Sequence, residues 1–302
     1  MSPVTAAYTQ VAADYTPANF FDGFDFFTGS DPTNGFVHYV NRNSAQSQGI
    51  IRNDGDSVYV GVDYWSYTST GRQSVRLESK QRFMRGLFVL DMQHMPGSIC
   101  GTWPAFWTLG DNWPNNGEID IIEGVHKNVQ NHMALHTKAG CAINEQPKGS
   151  AGSVLSSNCD TYAPNQASNQ GCSIVDNRDN SYGDGFNSNN GGGVYAMEWT
   201  EVAIKVWFWP RSQAPTDVWG NPEPVNWGAP AGQFSGDCTI NNFFKDHRII
   251  FDITFCGDWA GNVWNDAGCN NVASTCIDHV SGQPAAFANS YWRIKSLKVW
   301  SS

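Results

Sequence analysis

Basic charge is scarce in this chain. Lys and Arg number 18 against 28 Asp and Glu, a formal charge of −10 over 302 residues. Such a surface repels phosphate backbones, which argues against nucleic acid as a partner. Long apolar runs are missing too, and none approaches the roughly 20 residues of a membrane span, so no membrane partner is implied. Met1 to Tyr15 has neither a basic start nor an apolar segment and therefore does not read as a leader peptide. No Asn-x-Ser/Thr acceptor occurs, so N-glycosylation is not expected. Helix formers such as Leu, Lys and Glu are thin, and no run of helical period is long enough to organise a fold.

Gly and aromatic residues are plentiful: 30 Gly, 13 Trp, 10 Tyr and 17 Phe. Short β-branched or aromatic runs alternate with Gly, Asn, Asp and Pro, the pattern of an all-β sandwich or barrel. Ser57 to Val62, Leu87 to Met92, Ala203 to Trp209 and Ile249 to Phe255 are such runs. No composition break or linker divides the chain. The Gly/Asn-rich stretch Asn180 to Gly193 reads as a loop within a single domain, preceded by an N-terminal segment over 1–19.

Eight cysteines (100, 141, 159, 172, 238, 256, 269 and 276) are scattered through loop-rich sequence without a C-x-x-C pair. Zinc sites favour close-spaced ligands. An even, dispersed set instead reads as disulfides formed in an oxidising compartment. The expectation is a secreted protein. Connectivity stays open, because eight cysteines allow 105 pairings.

The most informative segment is Asn115-Asn116-Gly117-Glu118-Ile119-Asp120-Ile121-Ile122-Glu123-Gly124-Val125. Its isoleucines make it a strand. Side chains alternate faces on a strand, so Glu118 and Asp120 share one face while Ile119 and Ile121 point to the core. Glu123 breaks that parity. One extra residue, a β-bulge at Ile121-Ile122, would return it to the face of the other two acids, and bulges recur where a side chain must be re-aimed. Three acids on one face raise each other's proton affinity. Glycoside hydrolysis needs such a pair, one carboxylate to attack and one protonated carboxyl to donate. A calcium site or a solvated strand face would use the same residues, although no basic residue interrupts Asp111 to His126 before the histidine.

The run Gly117 to Gly124 resembles the catalytic signature of glycoside hydrolase family 16 in its bulged form, E-[IV]-D-x-x-E. The upstream blocks His94-Met95-Pro96, Cys100 to Trp107 and Asp111-Asn112-Trp113-Pro114 are similar to those of fungal laminarinases. So are Asp31 to Val37, Leu135-His136-Thr137, Tyr195 to Trp199, Phe255 to Gly261 and Ala286 to Asn289. The likeness runs from about Phe20 to Trp300 and points to basidiomycete endo-1,3(4)-β-glucanases. It implies a single-domain β-jelly-roll sandwich of two curved antiparallel sheets with a concave substrate groove. It also implies Glu118 as nucleophile, Glu123 as acid/base, Asp120 between them, and a retaining double displacement.

Sugar rings offer apolar faces and a rim of hydroxyls, which aromatic platforms and polar side chains recognise respectively. By the resemblance, Trp107, Trp113 and Trp259 would contact sugar; with so many aromatics, core packing is their other reading. Trp103 fits core and groove equally. In the expected strand Ser74 to Glu78, Arg76 alternates with Val75 and Leu77, which sets it with Glu78 on the opposite face, either as a hydroxyl ligand by the resemblance or in a surface ion pair. His136 is a ligand candidate or a structural histidine, and Asn41 and Glu201 are secondary candidates. The resulting expectation is an endo-acting β-1,3-glucan hydrolase, extending to mixed 1,3(4)-linkage. It would be a monomer without a cofactor, with polysaccharide and oligosaccharide β-glucan as partners. A structural calcium ion is not indicated. A transglycosylase on wall glucan or chitin and a non-catalytic glucan-binding protein are the alternatives, and the intact acids argue against the latter.

Overall fold

The computed structural model describes residues 8–301. Alternating and continuous apolar runs fold into two eight-stranded sheets and a two-stranded parallel ribbon, Val37–Tyr39 with Arg72–Ser74. The acid-bearing sheet runs, from one edge to the other, through strands Gly152–Ser156, Cys172–Asp176, His132–His136, Glu118–Glu123, Thr102–Gly110, His247–Phe255, Arg76–Ser79 and Phe24–Phe27. All neighbouring pairs in it are antiparallel. The acid strand therefore lies near the centre of its sheet, with ladders on both sides. The second sheet is built around Gly86–His94, Gly193–Trp199, Ile204–Pro210 and Trp292–Trp300.

The period-2 pattern decides what lies between the sheets. In His247–Phe255, the side chains of Ile249, Phe251 and Ile253 are buried in the shared core, and Phe251 stacks on Phe106 at 4.6 Å between centroids. Ile119, Ile121 and Ile122 enter the same core fully buried, as do Leu135 and Met133 from the next strand. A second apolar cluster lies on the other side of the second sheet. There Trp207, Val194, Ala196 and Leu87 are covered by Trp227 and Val218 from the segment 211–231. Both faces of that sheet are thus occupied by packing, whereas the acid sheet keeps one face polar.

Three expectations are refined. Within the N-terminal segment 1–19, residues 1–7 lie outside the described residues, but Val11–Tyr15 is a strand paired with Trp292–Trp300. The stretch Asn180 to Gly193 is not all loop. It winds a short helix, Gly183–Asn187, around fully buried Phe186, and Gly193 opens the next strand. The run at Ser74 to Glu78 is broken at Val75 into two strands, Arg72–Ser74 and Arg76–Ser79, which join different sheets.

All eight cysteines are paired: Cys100–Cys269, Cys141–Cys238, Cys159–Cys172 and Cys256–Cys276. The first two close sequence separations of 169 and 97 residues. Such long closures restrict the unfolded chain most in the loop-entropy picture. Three of the four join the irregular segments after residue 140 to each other or to the acid sheet, so they brace loops that strand ladders leave free.

Candidate active site

The bulge expected from parity is present. Against Thr102–Gly110, Asp120 pairs with Trp107 and Ile122 with Phe106, so Ile121 is the inserted residue. Glu118, Asp120 and Glu123 then lie opposite Leu109, Trp107 and Ala105, which alternate along one face of the neighbouring strand. On the other side the three acids face His136, Ala134 and His132. A bulge leaves backbone groups without ladder partners, and buried ones must be satisfied. Asn131, fully buried, does this with its side-chain amide: Oδ1 accepts from the Glu123 N–H at 3.0 Å and Nδ2 donates to the Ile121 carbonyl at 2.9 Å. Ahead of the strand, Gly117 adopts φ 80°, and a Cβ there would lie 2.5 Å from the Phe244 ring. Only glycine lets the chain turn so tightly into Glu118.

Burial and mutual repulsion dominate the electrostatics. Asp120 is 2% exposed. Burial, then the neighbouring Asp120 carboxylate, pushes the Glu118 and Glu123 carboxyls up to about 8. Burial raises Asp120 similarly, to about 8. These groups titrate as a cluster, with the loss of one proton opposing the loss of the next. His136 opposes the rise at both glutamates: its Nε2 lies 3.1 Å from Asp120 and 3.8 Å from Glu118. Glu118, Asp120 and His136 can offer ligand atoms that all fall within 4.8 Å of one another. An imidazole suits calcium poorly, since hard cations collect oxygen.

Each glutamate also has an indole beside it. Trp103 Nε1 donates to Glu123 at 2.8 Å, which settles Trp103 as a recess residue rather than a core one. The half-buried Trp113 keeps its Nε1 without a hydrogen-bond partner, close enough to Glu118 to favour the ionised form. Trp107 is half-buried on the acid face, and its Nε1 donates to Asp252 at 2.8 Å. Trp259 sits in the helical turn Gly257–Gly261, edge-on to Trp103 at 5.7 Å and to His132 at 5.7 Å. That turn starts from two residues of positive φ, Cys256 and Gly257, with the Gly257 Cα packed so close to Thr33 that a Cβ would meet its carbonyl at 2.6 Å. Trp259 and His132 also line a cavity of about 370 Å³ with Val125, Lys127, Asn128, Val263 and Ala267.

Arg76 joins the same face, and its ion pair is buried rather than superficial. It is 6% exposed, donates from Nε to Glu78 at 2.9 Å, and lies with its guanidinium carbon 4.9 Å from the ring centres of both Trp107 and Phe27. The secondary candidates fare differently. Asn41 spends its side-chain oxygen capping the helix Arg42–Ser47, accepting from the Ser44 N–H. Glu201 is in the turn between two strands of the other sheet, ion-paired to Arg85 at 3.3 Å, and is not brought to the acids. Asn131, Asp252 and Tyr39 were not singled out from sequence. Asp252 had a signal: it is the one acid in the strand His247–Phe255, at the parity of Ile250 and Thr254.

The Trp103 contact carries a test. A donor to a carboxylate favours its charged form, so Trp103→Phe should raise the proton affinity of Glu123. The alkaline limb of the kcat/KM profile is then expected to move up by about 0.5–1 pH unit. An unmoved or lowered limb would show that the bond does not tune the acid.

The sequence profile of a family described as XgeA-like, catalytic GH16 domain matches residues 24–300. The endo-1,3(4)-β-glucanase of Arthroderma benhamiae is 47% identical over 292 residues, covering 95% of this chain and 64% of the relative. A probable endo-1,3(4)-β-glucanase of Aspergillus niger is 43% identical across 99% of this chain and 41% of its own length. The chain thus spans about two-fifths to two-thirds of these curated relatives. Among solved structures, laminarinase 16A of Phanerochaete chrysosporium, with 6-O-glucosyl-laminaritriose in donor and acceptor sites, superimposes with a TM-score of 0.91. It is 39% identical over 98% of this chain and 100% of its own. An elongating family 16 β-1,3-glucosyltransferase gives a TM-score of 0.89 at 44% identity, over 97% and 99%. With its two-sheet β-sandwich, its bulged acid strand and a profile match across nearly the whole length, this chain belongs to glycoside hydrolase family 16.

Proposed function

We propose that the chain is a retaining endo-β-1,3-glucanase that also accepts mixed 1,3(4)-linked glucan. The observation that carries this is the bulged strand, which turns Glu118 and Glu123 to one recessed face where burial keeps protons on carboxyls. The ionised Glu118 attacks the anomeric carbon. Glu123 gives its proton to the departing glycosidic oxygen, and the C–O bond breaks as the glycosyl ester on Glu118 forms. Glu123, now a carboxylate, takes a proton from water as that water displaces Glu118 with a second inversion. Asp120 raises the proton affinities of both, and His136 opposes that rise.

Similarity to named endo-1,3(4)-β-glucanases and to a laminarinase supports β-glucan as substrate. Trp103, Trp107, Trp113 and Trp259 supply ring platforms around the acids, with Arg76 as a hydroxyl ligand. The reaction requires no cofactor. Four disulfides fit a secreted protein, and no described helix is long and apolar enough to cross a membrane. Nothing in the reaction calls for more than a monomer.

A panel of laminarin, lichenan, cellulose and chitin tests the substrate. Laminarin should be cut to short oligosaccharides with the β anomer appearing first by proton NMR. An initial α anomer, or no cleavage of laminarin, would overturn the reading. Likeness to the glucosyltransferase favours transfer as the second reading. Under that reading, products longer than the supplied laminari-oligosaccharide should predominate even at dilute substrate.

A further inference from the structure

Asp252 is a further acid on the recessed face, outside the bulged strand. In the His247–Phe255 ladder it pairs with Ala105 on one side and Arg76 on the other. It is 6% exposed. Both carboxylate oxygens are engaged: Oδ1 accepts from the Trp107 Nε1–H at 2.8 Å and Oδ2 from the Tyr39 hydroxyl at 3.1 Å. Trp107 in turn carries the Arg76 guanidinium, which Phe27 flanks on a second side. Tyr39, Asp252, Trp107 and Arg76 therefore form one connected chain of contacts along the wall of the recess.

A buried carboxylate beside three other acids is a costly way to fill space. Its ionisation is opposed by burial and by Asp31, and favoured by Arg76, Trp107 and Tyr39, which together leave the carboxyl at about 6. It acts in turn on Asp120 and Glu123 of the acid strand and on Tyr182 beneath it, raising the proton affinity of each. Two effects follow from one residue. It fixes the orientation of the Trp107 ring by holding its N–H, and it adds negative charge to the field around the acid/base.

We propose that Asp252 is a positioning residue: through its bond to Trp107 it sets the sugar platform and the Arg76 stacked on it. The inference rests on the glucanase reading for the roles of Trp107 and Glu123. Asp252→Asn preserves shape but offers one oxygen where the carboxylate offers two, and it removes the charge.

The expected result for Asp252→Asn is a KM for laminarihexaose raised about 5- to 10-fold, as for the loss of one well-made polar contact. The alkaline limb of kcat/KM should fall by roughly half a pH unit, because a like charge has gone, while kcat at the optimum stays within about 3-fold. A purely structural role would lower the melting temperature without moving the limb. Wild-type KM and an unmoved limb would overturn the proposal. Asp252→Leu should show a larger KM effect, and if it fails to fold, Asp252→Asn still decides. The two readings separate cleanly by calorimetry of laminarihexaose binding to Glu118→Gln protein with and without Asp252→Asn. If wild-type protein cleaves no glucan, the catalytic reading fails, yet weakened binding in the double variant would still uphold Asp252. Equal binding would not.

Discussion

Glu118→Ser should lower laminarin turnover by on the order of 10⁴-fold or more, since the covalent route loses its nucleophile. Laminari-oligosaccharide affinity should change little, because the proposed tryptophan platforms and Arg76 contact are untouched. Glu123→Gln is expected to behave differently. Loss of the general acid costs about 10²–10⁴-fold on a natural glucan, but much less on an aryl β-glucoside whose leaving group departs without a proton. With such a substrate, Glu123→Gln should accumulate the glycosyl ester on Glu118, visible as added mass on the intact protein, and azide should speed its turnover. Near-normal laminarin turnover by Glu118→Ser would remove it from the mechanism. If Glu123→Gln lost as much on the aryl substrate as on laminarin, the acid assignment would fall. The two variants thus test separate halves of one double displacement.

The acid strand was legible because it violates a simple rule. Period-2 alternation places Glu123 with the isoleucines, and a carboxylate cannot remain among fully buried Ile119, Ile121 and Ile122 without a device to move it. The ladder supplies that device at Ile121. What could not be read was its cost and remedy. Asn131 lies eight residues downstream on a turn into the next strand, and nothing in its neighbourhood marks an amide that will close the bulge. The same limit applies to Trp103, whose indole N–H is committed to Glu123 only once two strands are in register. Arg76 shows the reverse. Its face was correct from parity with Val75 and Leu77, but the ion pair to Glu78 is buried rather than superficial, and the guanidinium is stacked on Trp107. Glycine and cysteine positions announced loops but not their pairing, since a pairing of Cys100 with Cys269 is a property of two distant segments meeting.

A site assembled from buried acids should also weaken the fold that holds it, in a way that depends on pH. Glu118 and Glu123 have folded-state proton affinities raised from 4.5 to about 8, with burial the larger cause. For a carboxyl raised on folding, the unfolded chain gives up its proton first as pH rises. Below about pH 4, where both states are protonated, the group costs nothing. Between the unfolded and folded values the native state pays progressively, and above about pH 8 the penalty is complete. Neutral glutamine avoids it. Glu118→Gln/Glu123→Gln should therefore melt within about 1 °C of the wild type at pH 4, but on the order of 5 °C higher at pH 8.5. That gain corresponds to roughly 2–3 kcal/mol, below the sum of two independent shifts because the acids share their repulsion. Calorimetric melts at the two pH values decide it. A variant equally destabilised at both would mean that the carboxyls are stabilised by their surroundings, and the tension between fold and catalysis would have to lie elsewhere. The expected divergence, a variant increasingly more stable than the wild type as pH rises above about 4, follows from the same burial that raises the proton affinity of Glu123.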